Sequence, residues 1–189
     1  MTPKINLIVA VCENMGIGVN GGLPWKLKSE LAYFSRMTKE TRLKSKKNMV
    51  VMGRRTWESI PERFRPLAER VNVILSSQMS KNDVRENVLI YPTFEAAMEE
   101  VKKAPFAEQI ETVWVIGGSS VYRLALASEF CHRIYLTKIH KIYDCDTFLP
   151  PIDGKVFKRV EDSVVPEGLQ EENSTTFEYI VYEKINQQI

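Results

Sequence analysis

Short apolar segments alternate with helix-forming segments along the first 140 residues, and this alternation restricts the fold more than any other feature. The first apolar run, residues 5–11, is almost continuous, which is typical of a strand buried on both faces of a sheet. Strands that alternate with helices favour a parallel sheet with both faces covered. The predicted strands of this part are residues 5–11, 48–53, 71–75, 88–91, 112–116 and 133–140.

Helical patterns lie between these strands. The first helix is predicted to start at Ser29, which can cap it, and to carry Leu31, Phe34 and Met37 on one apolar stripe. The remaining helices are predicted over residues 54–60 and 94–103 (with Thr93 as cap), and a last one is opened by residues 117–122 and runs to about residue 129. Two further strands, residues 155–162 and 176–184, follow, and the alternation in the second suits an antiparallel partner.

The predicted fold class is therefore α/β. We expect one domain over residues 1–189, with a mixed, mostly parallel central sheet of about eight strands flanked by helices and an antiparallel C-terminal edge. The composition, 44% hydrophobic and 26% charged, is that of an ordinary globular domain.

Charge and hydropathy argue against several classes of partner. A formal net charge of +2 gives no reason to expect nucleic acid or a membrane surface as a partner. The basic segment 44–47 has no interleaved aromatic residues, so we interpret it as a solvated loop. The apolar run 5–11 is too short to span a bilayer and lacks a signal-peptide layout, so a cytoplasmic protein is expected, and a monomer is the default.

The cysteines and histidines do not form a metal or disulfide pattern. The three cysteines are Cys12, Cys131 and Cys145, an odd number without CxxC spacing, and only two histidines are present. No metal site is predicted, and a disulfide framework is not expected, which favours a reducing compartment. Cys12 is given a packing role.

A glycine-rich loop before the first helix is the strongest candidate for contact with a ligand. Gly16, Gly18, Gly21 and Gly22 exclude a regular element and let the backbone approach a bound molecule closely. Glu30 follows in the first helical turn, where an acidic residue usually only complements the helix dipole. The loop in front of it makes a functional role for this carboxylate worth considering.

The carboxyl ends of the predicted strands carry groups suited to anions, and ligands of open α/β sheets bind at these ends. Residues 117–120 and 53–56 each join a strand to a helix N-terminus, and Arg54 and Arg55 add positive charge to the second of these segments. Two such ends in one sheet favour a dinucleotide, although a Gly-Gly turn alone is also an ordinary tight connection. The absence of GxGxxG argues against a Rossmann NAD site, and arginine with serine favours NADPH.

Together these residues resemble the dihydrofolate reductase family over essentially the whole chain. No single motif is decisive, but all occur in the family's order. The matching segments are residues 8–10, 16–18, 23–25, Glu30 with 33–34, 52–57, 59–61, 65–67 with Arg70, 117–122, 146–148 and 182–184.

The resemblance implies an NADPH-dependent enzyme that reduces 7,8-dihydrofolate by hydride transfer to C6 of the pterin, with protonation of N5. Glu30 would anchor the pterin and assist proton delivery, with its pKa raised by burial against apolar neighbours. Thr137 would hydrogen-bond that carboxylate, and Leu23 and Trp25 would shield the reacting carbons from water. Substrate contacts are implied for Ile8, Val9, Glu30, Leu31, Phe34, Ser59, Ile60, Pro61, Leu67, Arg70, Ile116 and Thr137.

Arg70 is implied to pair with the glutamate α-carboxylate of the substrate. Without the resemblance, a surface ion pair of Arg70 with Glu69 or another neighbour is the more ordinary interpretation.

On the cofactor side the resemblance implies a 2′-phosphate site, pyrophosphate and ribose contacts, and a nicotinamide pocket. Arg54 and Ser77, with Gln78, would bind the 2′-phosphate, whereas Ala10, Ile17 and Tyr122 would lie near the nicotinamide. The full set of implied NADPH contacts is Ala10, Ile17, Gly18, Gly53, Arg54, Arg55, Thr56, Leu75, Ser76, Ser77, Gln78, Gly117, Gly118, Ser119, Ser120, Val121 and Tyr122. The Gly117–Gly118 peptide is expected to be cis, and residues 15–23 are expected to form a lid.

Some positions depart from the vertebrate pattern. Four residues separate Trp25 from Glu30, one fewer than in vertebrate enzymes, Leu31 replaces a phenylalanine, and Ser77 replaces an arginine. These changes bear on antifolate selectivity and on the preference for NADPH over NADH.

Two other functions stay open. One is an NADPH reductase acting on a pyrimidine or another pterin, and the other is a non-catalytic NADPH-binding protein. The implied partners are dihydrofolate and antifolate inhibitors, with no obligate nucleic acid.

Overall fold

A mixed β-sheet runs through the centre of the molecule in the computed structural model, which describes residues 4–85 and 87–185. The strands are β1 (Lys4–Val11), β2 (Gly16–Gly18), β3 (Lys47–Gly53), β4 (Arg70–Leu75), β5 (Val88–Tyr91), β6 (Ile110–Val115), β7 (Cys131–Ile139), β8 (Thr147–Phe148), β9 (Phe157–Val160), β10 (Gln170–Glu172) and β11 (Thr175–Lys184). The α-helices are α1 (Lys28–Lys39), α2 (Arg54–Ser59), α3 (Phe94–Val101), α4 (Phe106–Gln109) and α5 (Ser119–Ala127), and short 3₁₀ turns occupy Glu62–Phe64 and Lys81–Asp83.

The strand order confirms the predicted architecture. It reads β10-β11-β7-β1-β6-β3-β4-β5, with β9 also paired to β11. The six strands from β7 to β5 in this order are parallel to their neighbours, whereas β11 runs antiparallel to β7. Strands β9 and β10 pair with opposite halves of β11, so they share its outer edge. Strands β2 and β8 form a separate small sheet.

Apolar side chains from both faces of the sheet form the core. In β1, Leu7 and Val9 face one layer, which includes apolar residues of α3 and α5, while Ile8 faces the other layer, which includes Tyr33 and Met37 of α1. The central strands are buried on both sides, which explains their nearly continuous apolar sequences. No helix in residues 4–85 and 87–185 is long and apolar enough to cross a membrane.

The first helix begins differently from the prediction. Helix α1 starts at Lys28, and the position before it is Leu27, which makes no side-chain cap. Ser29 therefore is not the cap: its backbone N–H and its hydroxyl both donate to Oε2 of Glu172, at 3.2 and 3.1 Å. A carboxylate distant in sequence thus accepts the N–H that a local cap would otherwise satisfy.

Two other local predictions are confirmed. The Thr93 hydroxyl caps α3 by accepting a hydrogen bond from the Ala96 N–H at 3.1 Å. The Gly117–Gly118 peptide is cis. Strands β2, β8 and β10 were not predicted, since two or three residues are too few to show a period.

Candidate active site

A cleft of about 1790 Å³ opens at the carboxyl ends of the parallel strands. Helices α1 and α2 and the glycine-rich loop contribute to its walls, in the position where open α/β sheets bind ligands. The predicted site residues that line it are Ile8, Val9, Ala10, Ile17, Gly18, Leu23, Glu30, Leu31, Phe34, Gly53, Arg54, Arg55, Thr56, Ser59, Ile60, Pro61, Leu67, Arg70, Leu75, Ser76, Ser77, Gln78, Ile116, Gly117, Gly118, Ser119, Ser120, Val121 and Tyr122. Of the predicted residues, Trp25 and Thr137 do not line it.

Glu30 is the buried acid of the cleft. It lies in the first turn of α1 and is only 5% exposed. Its burial raises its pKa to about 7, and the hydrogen bond from Thr137 opposes this shift without reversing it. The predicted direction is therefore confirmed. Near neutral pH this carboxyl group exists in both protonation states, as a residue that exchanges protons requires.

Thr137 does not line the cleft but contacts Glu30, which does. It is fully buried in β7, and its hydroxyl donates to Oε1 of Glu30 over 3.1 Å. The predicted hydrogen bond is thus present. Thr137 fixes the orientation of the carboxylate and favours its charged form.

Two other carboxylates line the cleft, Glu95 and Asp146, and both are exposed. Glu30 is therefore the buried carboxylate among the described cleft residues.

Leu23 and Trp25 occupy different environments. Leu23 is on the cleft wall and is 51% exposed. Trp25 is only 5% exposed and packs with Cys12 and Leu27 in a cluster beside the cleft, with its ring edge-on to Tyr143 at 5.6 Å between centroids. Trp25 therefore does not line the cleft, and the expectation that it shields the reacting carbons from water stays a prediction.

Four apolar side chains, which we call the apolar slot, line part of the cleft. Leu31 and Phe34 of α1 lie on its wall together with Ile60 and Leu67, which belong to the segments after α2 and before β4. Leu31 is 53% exposed, although it belongs to the predicted apolar stripe. Apolar walls in the same cleft as one buried acid fit a flat, aromatic ligand with a polar edge.

Arg70 lies half-buried at the start of β4 and lines the cleft. Its Nη1 donates to the Thr38 hydroxyl at 2.8 Å, and its Nε donates to the Ala68 carbonyl at 2.9 Å. Its neighbour Glu69 pairs with Lys39 instead, at 2.5 Å. The ion-pair interpretation is thereby wrong, and within the described chain this oriented guanidinium has no carboxylate partner.

Glycines shape the wall formed by β6 and α5. Gly117 has φ of 114°, and a Cβ there would lie 3.2 Å from the ring of Tyr122. The N–H of Gly53 donates to the Gly117 carbonyl at 2.8 Å, so the ends of β3 and β6 are joined at the cleft. The Tyr122 hydroxyl donates to the Ile8 carbonyl at 2.8 Å, which fixes α5 against β1. The N-terminus of α5 thus borders the cleft beside backbone that carries no side chain.

The far end of the cleft is polar and cationic. Arg54 donates from Nη1 to Oε1 of Gln78 at 2.9 Å. The Ser76 hydroxyl accepts from the backbone N–H groups of Gln78 and Met79, at 3.2 and 3.1 Å. Exposed Ser77 and Arg55 complete this end. Guanidinium and hydroxyl donors in one corner suit a phosphate group.

The sequence prediction missed part of the cleft lining. The largest omission is the end of β5 with the start of α3, where Thr93, Phe94 and Glu95 lie. The rule that directs attention to the strand ends applies to β5 as well, and its use there would have found them. Lys39, Arg63 and Arg123 also line the cleft, but no sequence pattern distinguishes them from other surface cations.

The glycine-rich loop is held against the segment before β8. Asp146 N–H donates to the Gly18 carbonyl at 3.1 Å, and Asn20 N–H donates to Oδ2 of Asp146 at 2.8 Å. Strands β2 and β8 pair beside these contacts, with Gly16 opposite Phe148. The loop thus adopts a position along the cleft edge that a few hydrogen bonds maintain.

The comparisons with known proteins agree with this geometry. The family model described as dihydrofolate reductase matches residues 4–184. The chain is 49% identical over 181 residues to the dihydrofolate reductase of Drosophila melanogaster, with 96% of this chain and 98% of the relative covered. It is 40% identical over 184 residues to that of Sus scrofa, covering 96% and 98% of the two chains.

A solved structure is similar as well. The dihydrofolate reductase of Schistosoma mansoni superposes with a TM-score of 0.86 at 39% identity, covering 97% of this chain and 99% of the other.

Proposed function

This chain belongs to the dihydrofolate reductase family, and we propose that its cleft reduces 7,8-dihydrofolate to 5,6,7,8-tetrahydrofolate with NADPH as the hydride donor. The observation that carries the proposal is the buried carboxyl group of Glu30, held by Thr137 in the same cleft as the apolar slot. A carboxylate there accepts two parallel N–H donors from a pterin.

The residues of the other half of the cleft fit NADPH. Gly117 and Gly118 leave backbone without side chains at the start of α5, as close approach of a pyrophosphate requires. Arg54, Ser77 and Gln78 would hold the 2′-phosphate, and Thr56 with residues 117–121 would hold the pyrophosphate and ribose. When bound, the reduced nicotinamide supplies the hydride for C6 of the pterin.

The substrate half supports a folate. Leu31, Phe34, Ile60 and Leu67 would enclose the pterin and aminobenzoyl rings. Arg70 is held by two hydrogen bonds to neutral groups, and its positive charge is available to the glutamate α-carboxylate of the substrate.

Glu30 is the residue to which we assign proton handling. Because its pKa is about 7, it carries a proton for part of the time at neutral pH. It would bind the pterin in its charged form and, in its protonated form, provide the proton that reaches N5. Leu23 would exclude water from the reacting carbons, and the loop of residues 15–23 would open and close as a lid.

We also propose that the protein is a cytoplasmic monomer whose apolar slot binds antifolates in competition with dihydrofolate. The three free cysteines are in keeping with a reducing compartment. Light scattering after gel filtration tests the monomer.

The experiment for the reaction follows NADPH consumption with dihydrofolate, with NADH and no-folate controls, and with Glu30→Gln alongside. We expect consumption that requires dihydrofolate, prefers NADPH and is nearly lost in Glu30→Gln. A matched Glu95→Gln variant removes an exposed cleft carboxylate and should retain turnover. Binding of NADPH without consumption would overturn the proposal in favour of a non-catalytic NADPH-binding protein.

A further inference from the structure

We propose that Cys12 and Cys145 form a modification site, a reversible disulfide that clamps the glycine-rich loop. The two sulfur atoms lie 3.8 Å apart although the residues are 133 positions apart in the chain. Sequence reasoning gave Cys12 a packing role only, because the proximity of two such distant residues cannot be read from their spacing. The effect of this disulfide on the loop rests on the lid motion of the proposed function, whereas formation of the disulfide does not depend on that function.

The surroundings of the pair suit closure of the bond. Cys12 follows β1 directly and Cys145 lies in the irregular segment before β8, so neither sulfur is fixed by strand pairing. Gly16 leaves the space that the sulfurs occupy, because a Cβ there would collide with the side chain of Cys145 and approach Sγ of Cys12. Rotation about the Cα–Cβ bonds moves each sulfur, and closure of the bond requires that the sulfurs come from 3.8 Å to about 2.0 Å.

Access is one-sided. Cys145 is half-buried, whereas Cys12 is fully buried and donates its S–H to Oδ1 of Asn14 at 2.7 Å. Cys145 is therefore the residue that meets an oxidant first. Burial and the adjacent Cys12 thiol raise the pKa of Cys145, so the attack is slow compared with that of an activated thiol.

The oxidant is a low-molecular-weight disulfide such as glutathione disulfide. The Cys145 thiolate attacks one of its sulfurs, forms a mixed disulfide and releases one glutathione thiolate. Cys12 then attacks Sγ of Cys145 and its proton passes to the departing sulfur, so the Cys12–Cys145 bond forms and the second glutathione leaves as a thiol. Two protein thiols are oxidised by two electrons, and one glutathione disulfide is reduced to two thiols.

The bond would restrain the lid because it joins the two segments that meet there. Residue 12 precedes β2, residue 145 precedes β8, and β2 pairs with β8. In the thiol form a few hydrogen bonds hold these strands, among them Asp146 N–H to Gly18 carbonyl at 3.1 Å. A covalent link beside them prevents their separation, so an enzyme whose lid must open turns over more slowly in the oxidised form.

The test uses the full chain carrying Cys131→Ser, which leaves the pair as the two remaining thiols, and a matched Cys131→Ser/Cys145→Ser control. Cys131 is buried in β7, in a different apolar cluster from Cys12. After equilibration with glutathione disulfide, remaining thiols are alkylated and peptides are identified by mass spectrometry. We expect a peptide pair linked through Cys12 and Cys145, reversed by dithiothreitol. A persistent glutathione adduct on Cys145 without the linked pair would overturn the site.

Turnover of dihydrofolate is measured on the same samples. We expect a several-fold fall in the linked protein, recovery on reduction, and no change in the control after the same treatment. A linked protein with full turnover would overturn the clamp. An inactive reduced protein would instead contradict the proposed function, and the linked peptide would still decide the disulfide.

Discussion

Replacing Glu30 by glutamine should change how the stability of the free protein depends on pH. Burial raises the pKa of Glu30 from 4.5 to about 7, so the folded state binds a proton that the unfolded state has already released in that range. Stability from this group is complete below the unfolded pKa and is lost as pH rises toward the folded pKa. The shift corresponds to roughly 3 kcal/mol, because one pKa unit is about 1.4 kcal/mol. Glutamine keeps the shape and can accept the Thr137 hydrogen bond at 3.1 Å, but it does not titrate.

The assay is urea unfolding of the ligand-free wild type and Glu30→Gln at about pH 5 and about pH 8. We expect the stability of the variant relative to wild type to increase by roughly 2 to 3 kcal/mol between these conditions. Glu95→Gln is the matched control, since Glu95 is an exposed carboxylate of the same cleft. A difference for Glu30→Gln that does not vary with pH would refute the reasoning, because the burial of Glu30 would then not disfavour its charge.

Three further predictions concern the same cleft. Thr137→Val removes the hydrogen bond that favours the charged form of Glu30, so the alkaline limb of kcat/KM against pH should move to higher pH. Thr137→Ser keeps a hydroxyl and should keep the wild-type midpoint. A wild-type midpoint in Thr137→Val would contradict the role of the hydroxyl. Arg70→Lys should raise KM for dihydrofolate by about tenfold with a smaller effect on kcat, because a forked donor is replaced by a point charge far from the reacting atoms. Steady-state kinetics that show mainly a loss of kcat would exclude the contact of Arg70 with the glutamate α-carboxylate. Gly117→Ala should weaken NADPH binding by more than tenfold in fluorescence titration, roughly 1.4 kcal/mol or more. The reason is that residue 117 has φ of 114° and its new Cβ would lie 3.2 Å from the ring of Tyr122. Unchanged affinity would show that the cleft accommodates this Cβ without affecting NADPH.

Much of the sheet and the cleft could be predicted from sequence because both depend on local patterns. The strand β1 is apolar throughout, and its buried position follows from that alone. The cleft follows from the rule that ligands bind at the carboxyl ends of parallel strands, and Glu30 follows from its place after a glycine-rich loop.

The features that sequence could not provide depend on contacts between distant residues. The N–H of Ser29 donates to Glu172, and no local sequence pattern predicts a partner 143 residues away. Trp25 is buried with Tyr143 rather than on the cleft wall for the same reason. Strands β2 and β8 exist because they pair with each other, and neither is long enough to be recognised alone.

The contact between Ser29 and Glu172 has a consequence for how the chain is made. Helix α1 carries Glu30, the residue after Ser29, and its first turn is tied to β10, which pairs with β11. Thr137, the other partner of this turn, lies 107 residues beyond Glu30. During synthesis on a ribosome, the acid of the cleft therefore emerges early but obtains its supports only after residues 137 and 172 have left the exit tunnel. A nascent chain thus completes the surroundings of this acid late, after most of the sheet has been translated.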